Sequence, residues 1–173
     1  LGAAMTFPSP IPPVKLSHIT FGYEELLHHK YALPGFVEVE ADDVVIDCGA
    51  YVGGFSLSAS KLAKELHAFE PDEQNFRCLS ANIGARPNVT VNLAGLYDET
   101  KTMRLNVSPS SVEHSFLMPD DGSVVETREV PVYSLDDYCE QRGIGRLDFV
   151  KIEAEGVELE VFKGLGSMRP RKI

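Results

Sequence analysis

Asp47 stands at the end of an apolar run and at the mouth of a small-residue turn, in the stretch VVIDCGAYVGGFS over residues 44–56. Gly49, Gly53 and Gly54 would let a bound molecule approach the backbone, and a helix starting there would present free N–H groups. A dinucleotide is the first ligand to consider. Its G-x-G-x-x-G fingerprint requires glycine at position 51, however, and that residue is Tyr51. The spacing is D-x-G-x-x-x-G.

A second acid, Glu70 in HAFEPD, follows Asp47 by 23 residues. That is close to the spacing of about 20 at which an acid at the next strand end accepts the two hydroxyls of a nucleotide ribose. Two acids flanking the turn repel a pyrophosphate and welcome a cation. S-adenosylmethionine fits, with a ribose, no phosphate, a sulfonium and an ammonium. An NAD-dependent enzyme is disfavoured by Tyr51 and by the second acid. The candidate cofactor-binding set is therefore Asp47, Gly49, Ala50, Tyr51 and Gly53 in the turn, Glu70, Pro71 and Asn75 after the second strand, and Gly95 and Leu96 at the third.

The third chemical stretch is DFVKIEAEG over residues 148–156, where Glu153 and Glu155 alternate with small or apolar residues at a strand exit. Carboxylates there face a cleft and could orient an acceptor hydroxyl, take its proton or hold a metal. Lys151 shares the strand face of Glu153, as an ion-pair partner or as an aid to the acceptor. Glu155 is equally placed to serve the next helix through its dipole. The candidate catalytic residues are Glu153, Lys151 and Glu155, and no metal site is expected. His28 and His29 are adjacent and would point to different helix faces. His114 lies in a polar stretch as a loop histidine or an acceptor-side base, and Cys48 reads as core.

The elements that must position these residues alternate. Strands are expected over 43–49, 66–72, 88–97 and 147–154, and helices over 53–65, 72–85, 134–144 and 155–165. Ser134 and Gly143 supply start and stop signals for the third of these helices. Residues 98–131 are polar and turn-rich, with short alternations that predict a β-hairpin excursion. A short amphipathic helix is expected over 23–33, stopped by Pro34-Gly35, behind an extended proline-rich arm at 1–22. Strands spaced by helices make a mainly parallel α/β sheet.

The 173 residues suit one domain, and a net charge of -10 argues against a nucleic-acid partner. Three scattered cysteines without a C-x-x-C point to a reducing compartment, the cytoplasm. No apolar run is long enough to span a membrane.

VVIDCGAYVGGFSL, FEPDEQNFRCLSANI and SLDDYCEQRGIGRLDFVKIEAEGVELEVFKG together resemble the FkbM family of S-adenosylmethionine-dependent methyltransferases, in order, over residues 23–173. KIEAEGVELEVFKG is the most specific part and is similar to the family's K-I-D-x-E-G-x-E stretch, with Glu153 where the family usually carries Asp. The resemblance implies a Rossmann-like class I methyltransferase fold with helices on both faces of the sheet. It also implies O-methylation of a small-molecule or sugar hydroxyl. A non-catalytic binding module on the same fold is the alternative. Because the family's sheet has seven strands, the domain 23–173 is expected to lack its C-terminal strands, with RPRKI as the start of a fifth. An edge left open there would invite pairing into a homo-oligomer.

Overall fold

The computed structural model describes residues 5–9, 30–108, 114–117 and 123–173. Most of the proline-rich arm and most of the helix expected over 23–33, with His28 and His29, lie outside those residues. Lys30 is helical and the chain turns at Tyr31. Residues 5–9 have no regular secondary structure. They lie against a helix through Thr6, whose N–H donates to Asn82 Oδ1 (2.6 Å) and whose carbonyl accepts from Asn82 Nδ2 (2.9 Å).

The main sheet is parallel throughout. It contains β1 (Val44–Cys48), β2 (Glu65–Phe69), β3 (Val89–Asn92) and β7 (Phe149–Ile152), in the order β3-β2-β1-β7. All five residues of β1 are buried, as a central strand covered on both faces requires. In register, Asp47 lies opposite Ala68 on one side and Lys151 on the other. Where a fifth strand is expected, Lys172 makes an isolated parallel bridge to Phe149 on the side of β7 away from β1.

Helices α1 (Gly54–Ala59), α2 (Glu73–Ile83), α3 (Leu135–Arg142) and α4 (Glu158–Lys163) connect the strands. One core packs Ile46, Phe69, Leu135, Tyr138, Val150 and Val161. The other packs Val45, Phe55, Leu66, Leu79, Ile83 and Phe149 on the opposite strand faces. Each such buried side chain contributes about 1.5–3 kcal/mol relative to exposure.

Several boundaries differ from expectation for local reasons. Helix α1 stops at Ala59 rather than at 65, because Asn88 Nδ2 takes the carbonyls of Ser60 (3.0 Å) and Ala63 (2.9 Å). Helix α2 starts where Asp72 accepts from Asn75 N–H (2.9 Å). The run 88–97 is two strands, since Leu93 and Ala94 turn the chain out of the main sheet. Its second part, β4 (Gly95–Leu96), pairs in parallel with β6 (Glu126–Tyr133). The predicted hairpin is present as β5 (Lys101–Val107) antiparallel to β6, which gives a second sheet of order β4-β6-β5. Ser134 caps α3 by accepting from Asp137 N–H (3.2 Å), and Gly143 ends it at φ +68°.

Helix α4 begins three residues later than expected. Glu155 at φ +48° and Gly156 at φ +101° form a turn ahead of it. Its opening is secured by Glu158, which accepts from the N–H groups of Ala154 (3.0 Å) and Gly156 (3.1 Å).

Candidate active site

The exits of β1, β2 and β7 meet β4 and residues 114–117 around a cleft of about 280 Å³. That volume is near the small end of the range of about 300–1,000 Å³ typical of ligand pockets. The position, outside the carboxyl ends of parallel strands beside β1, is where open α/β sheets bind ligands. Of the residues expected from sequence, Gly49, Tyr51, Glu70, Pro71, Asn75, Gly95, Leu96, Glu153 and Glu155 line it.

Asp47, Ala50, Gly53 and Lys151 do not line the cleft. Asp47 is fully buried, accepts from Ser56 Oγ (2.6 Å) and pairs with Lys151 Nζ (3.0 Å). Its charge is met inside the protein by that ammonium. Lys151 also donates to the carbonyls of Cys48 (3.2 Å) and Gly49 (2.7 Å). Burial alone would lower the pKa of this ammonium. Asp47 first, and Glu153 next, outweigh it and raise the pKa above the usual lysine range. Ala50 sits in the core, and its N–H bonds Phe69 O (2.9 Å). Gly53, at φ +90°, packs against Leu79 and Ile83.

Glu70 is 5% exposed. Its Oε2 accepts from Tyr51 N–H (2.9 Å) and its Oε1 from Asp72 N–H (3.0 Å). Tyr51 reaches it from the left-handed region at φ +52°, an uncommon conformation for a residue with a side chain. Burial pushes the Glu70 carboxyl up to about 8, against the lowering effect of those two N–H groups. Asn75 Nδ2 also donates to Oε1 (3.5 Å), so Oε2, with Tyr51 N–H as its one donor among the described residues, keeps a second lone pair for a hydroxyl.

Across the cleft, Glu153 is held by two residues that sequence reasoning missed. Lys30 Nζ donates to its Oε1 and Tyr31 Oη to its Oε2, while Lys151 Nζ stands 3.7 Å from Oε2. Burial would raise the Glu153 pKa, but Lys30, Tyr31 and Lys151 together hold it below the usual glutamate range. Nothing in the local sequence signals these contacts, which join positions over 120 residues apart in the chain.

Leu105, His114 and Phe116 bring the second sheet and its connection into the wall. The Phe116 ring lies on Gly95, where an added Cβ would come within 2.7 Å of Cζ. His114 Nδ1 accepts from Ser108 N–H (3.1 Å), and its Nε2 lies 3.9 Å from Asp72 Oδ2. Among the described residues, no group of three or more His, Cys, Asp or Glu is placed to hold a metal ion. No described helix is long and apolar enough to cross a membrane.

The strand order and the cleft beside β1 are those of a Rossmann-like class I methyltransferase fold. The crystal structure of methyltransferase FkbM from Methylobacillus flagellatus KT shares it at a TM-score of 0.50 and 20% identity, covering 88% of this chain and 38% of that one. Residues 47–172 match the Methyltransferase FkbM domain, and the chain belongs to that family. It is 30% identical over 129 residues to the hexuronic acid methyltransferase AglP of Haloferax volcanii, covering 74% of this chain and 52% of the relative. It is 27% identical over 186 aligned positions to the 31-O-demethyl-FK506 methyltransferase FkbM of Streptomyces tacrolimicus, covering 88% and 70%. The chain thus spans about half the length of the archaeal relative. Lys30 and Tyr31 lie ahead of the matched domain.

Proposed function

We propose that this protein catalyses S-adenosylmethionine-dependent O-methylation of a hydroxyl on a small molecule or sugar. One observation carries the reading: Glu70 at the exit of β2 and Glu153 at the exit of β7 line a single cleft on either side of β1. The residue types on the cleft wall would suit the cofactor. Glu70 would take the ribose hydroxyls, Pro71, Gly95 and Leu96 would form an apolar slot for a flat base, and Tyr51 and Gly49 would border the methionine end. When bound, the cofactor supplies a methyl group activated on a sulfonium.

The chain's own contribution is to hold the acceptor in line and to receive its proton, which positions the reacting atoms and needs no covalent intermediate with the protein. Transfer to an acceptor oxygen would leave that oxygen with an acidic proton for the protein to remove. A carboxylate with a low pKa would suffice to take that proton, and Glu153, which lines the cleft with its pKa held down, would do so.

The acceptor class draws support from the two relatives, one named for a hexuronic acid and one for an O-linked methyl on FK506. Carboxylates beside the Tyr31 and Phe116 rings also suit a polyhydroxylated ring. Three buried, unpaired cysteines agree with a cytoplasmic setting. Calorimetry with S-adenosylhomocysteine and with NAD, followed by turnover on sugar-acid and macrolide hydroxyl acceptors, tests the proposal. Binding of the homocysteine product without turnover would favour a non-catalytic module, and binding of NAD alone would overturn the cofactor assignment.

A further inference from the structure

We infer that Tyr31 and Lys30 are positioning residues that fix the direction and charge of Glu153, so that a segment outside the matched domain completes the acceptor side of the cleft. This rests on reading the cleft as a methyl-transfer site. Tyr31 Oη and Lys30 Nζ each take a different oxygen of the same carboxylate, which leaves its side chain no freedom to rotate away. The contacts span 122 and 123 residues of sequence and tie the chain ahead of β1 to the exit of β7.

Tyr31 is itself held. Its ring meets Phe55 of α1 edge-on at 5.5 Å between centroids, and the Lys151 ammonium lies 5.4 Å from its centroid. Lys151 is in turn fixed by Asp47 at 3.0 Å and by the Gly49 carbonyl at 2.7 Å. A continuous polar column therefore runs from the turn after β1, through Lys151, to Glu153 and the Tyr31–Lys30 pair. A carboxylate has about four lone-pair sites, and the clamp uses one on each oxygen. The remaining sites are available to an acceptor hydroxyl in the cleft that Glu153 lines. The charged and titratable groups facing Glu153 are Lys30, Tyr31 and Lys151, with Asp47 behind Lys151 and Glu158 beyond the turn that follows β7. Two cations and a hydroxyl keep the carboxyl ionised despite its half-buried position.

The test is a carbon-13 carboxyl NMR titration of glutamate-labelled protein, with Glu153→Gln used to identify the Glu153 signal. Tyr31→Phe keeps the ring and its packing on Phe55, and Lys30→Met keeps the stem. In the double variant the Glu153 midpoint moves up by about one pH unit. Affinity for S-adenosylhomocysteine stays within about twofold and kcat falls about tenfold, with the acid limb of its pH profile moved upward by the same amount. On a Glu153→Gln background, Tyr31→Phe has no further effect on kcat. An unmoved Glu153 titration in the folded double variant overturns the inference. The titration does not depend on turnover: a moved midpoint in a protein that fails to bind S-adenosylhomocysteine would sustain the clamp and overturn the methyl-transfer reading.

Discussion

Gly49 lies directly beneath Glu153. An added Cβ at Gly49 would sit 1.8 Å from the Glu153 carbonyl oxygen, and the residue has φ +70°. The exit of β7 crosses the turn after β1 so closely that only glycine fits, and Glu153 N–H bonds Cys48 O (3.1 Å) at the same crossing. The glycine serves the protein's own backbone first.

Gly49→Ala should therefore act on stability before it acts on a ligand. The overlap with backbone and the left-handed conformation together predict a loss of about 3 kcal/mol or more in urea unfolding. A loss below about 1 kcal/mol would mean that the crossing relaxes freely.

Lys151→Met leaves Asp47 buried without its cation. Removing one partner of a buried pair costs about 3–5 kcal/mol, because the remaining charge is uncompensated. Adding Asp47→Asn to that variant should restore part of the loss, and chemical denaturation of both variants at neutral pH reads the difference.

If Glu70 takes the ribose as proposed, cofactor affinity should depend on pH. In the free protein its carboxyl is pushed up to about 8 by burial, so at neutral pH it is mostly protonated. A carboxylate that accepts two ribose hydroxyls must lose that proton on binding. Affinity for S-adenosylhomocysteine should then rise with pH from about 6 to about 8, by at most roughly tenfold per unit, and level off above. Calorimetry in buffers of different ionisation enthalpy would register the released proton. The slope should vanish in Glu70→Gln.

Glu153→Gln keeps the shape of the side chain and removes its charge. Turnover should fall by about 10²-fold while S-adenosylhomocysteine binds almost as before. Equal turnover of variant and parent would remove Glu153 from the chemistry.

At the opposite end of the sheet, Arg171 and Arg146 reach the fully buried Asp148 at 2.9 and 2.8 Å. Burial would raise its pKa, but Val44 N–H and the two guanidiniums outweigh it, so the folded-state value is depressed. The stability this contributes is complete above the unfolded pKa of about 3.9 and is lost as pH falls through the folded value. Asp148→Asn should be less stable at neutral pH and show a shallower acid limb below about pH 4, followed by circular dichroism during urea titration.

The sheet, the hairpin and the Glu70 position were all legible in the sequence, because period, turn residues and strand-end acids are local signals. The run at β1, the Ser134 cap and the Gly143 stop each act within a few residues, and all three are found where expected. Alternation alone could not divide residues 88–97, since the choice between sheets belongs to the strand that accepts the hydrogen bonds, here β6. Nor could it separate the duties of the acids. Asp47 and Glu70 look alike as strand-end carboxylates. Only the register of β1 against β7 puts Lys151 opposite Asp47 and turns that acid inward, while Glu70 stays at the cleft. Lys151 was legible as a partner of Glu153 from strand spacing, but Lys30 and Tyr31 were not, because they reach it through chain closure. Residue type fixes which charges exist, and tertiary packing decides which of them meet each other and which are left to meet a ligand.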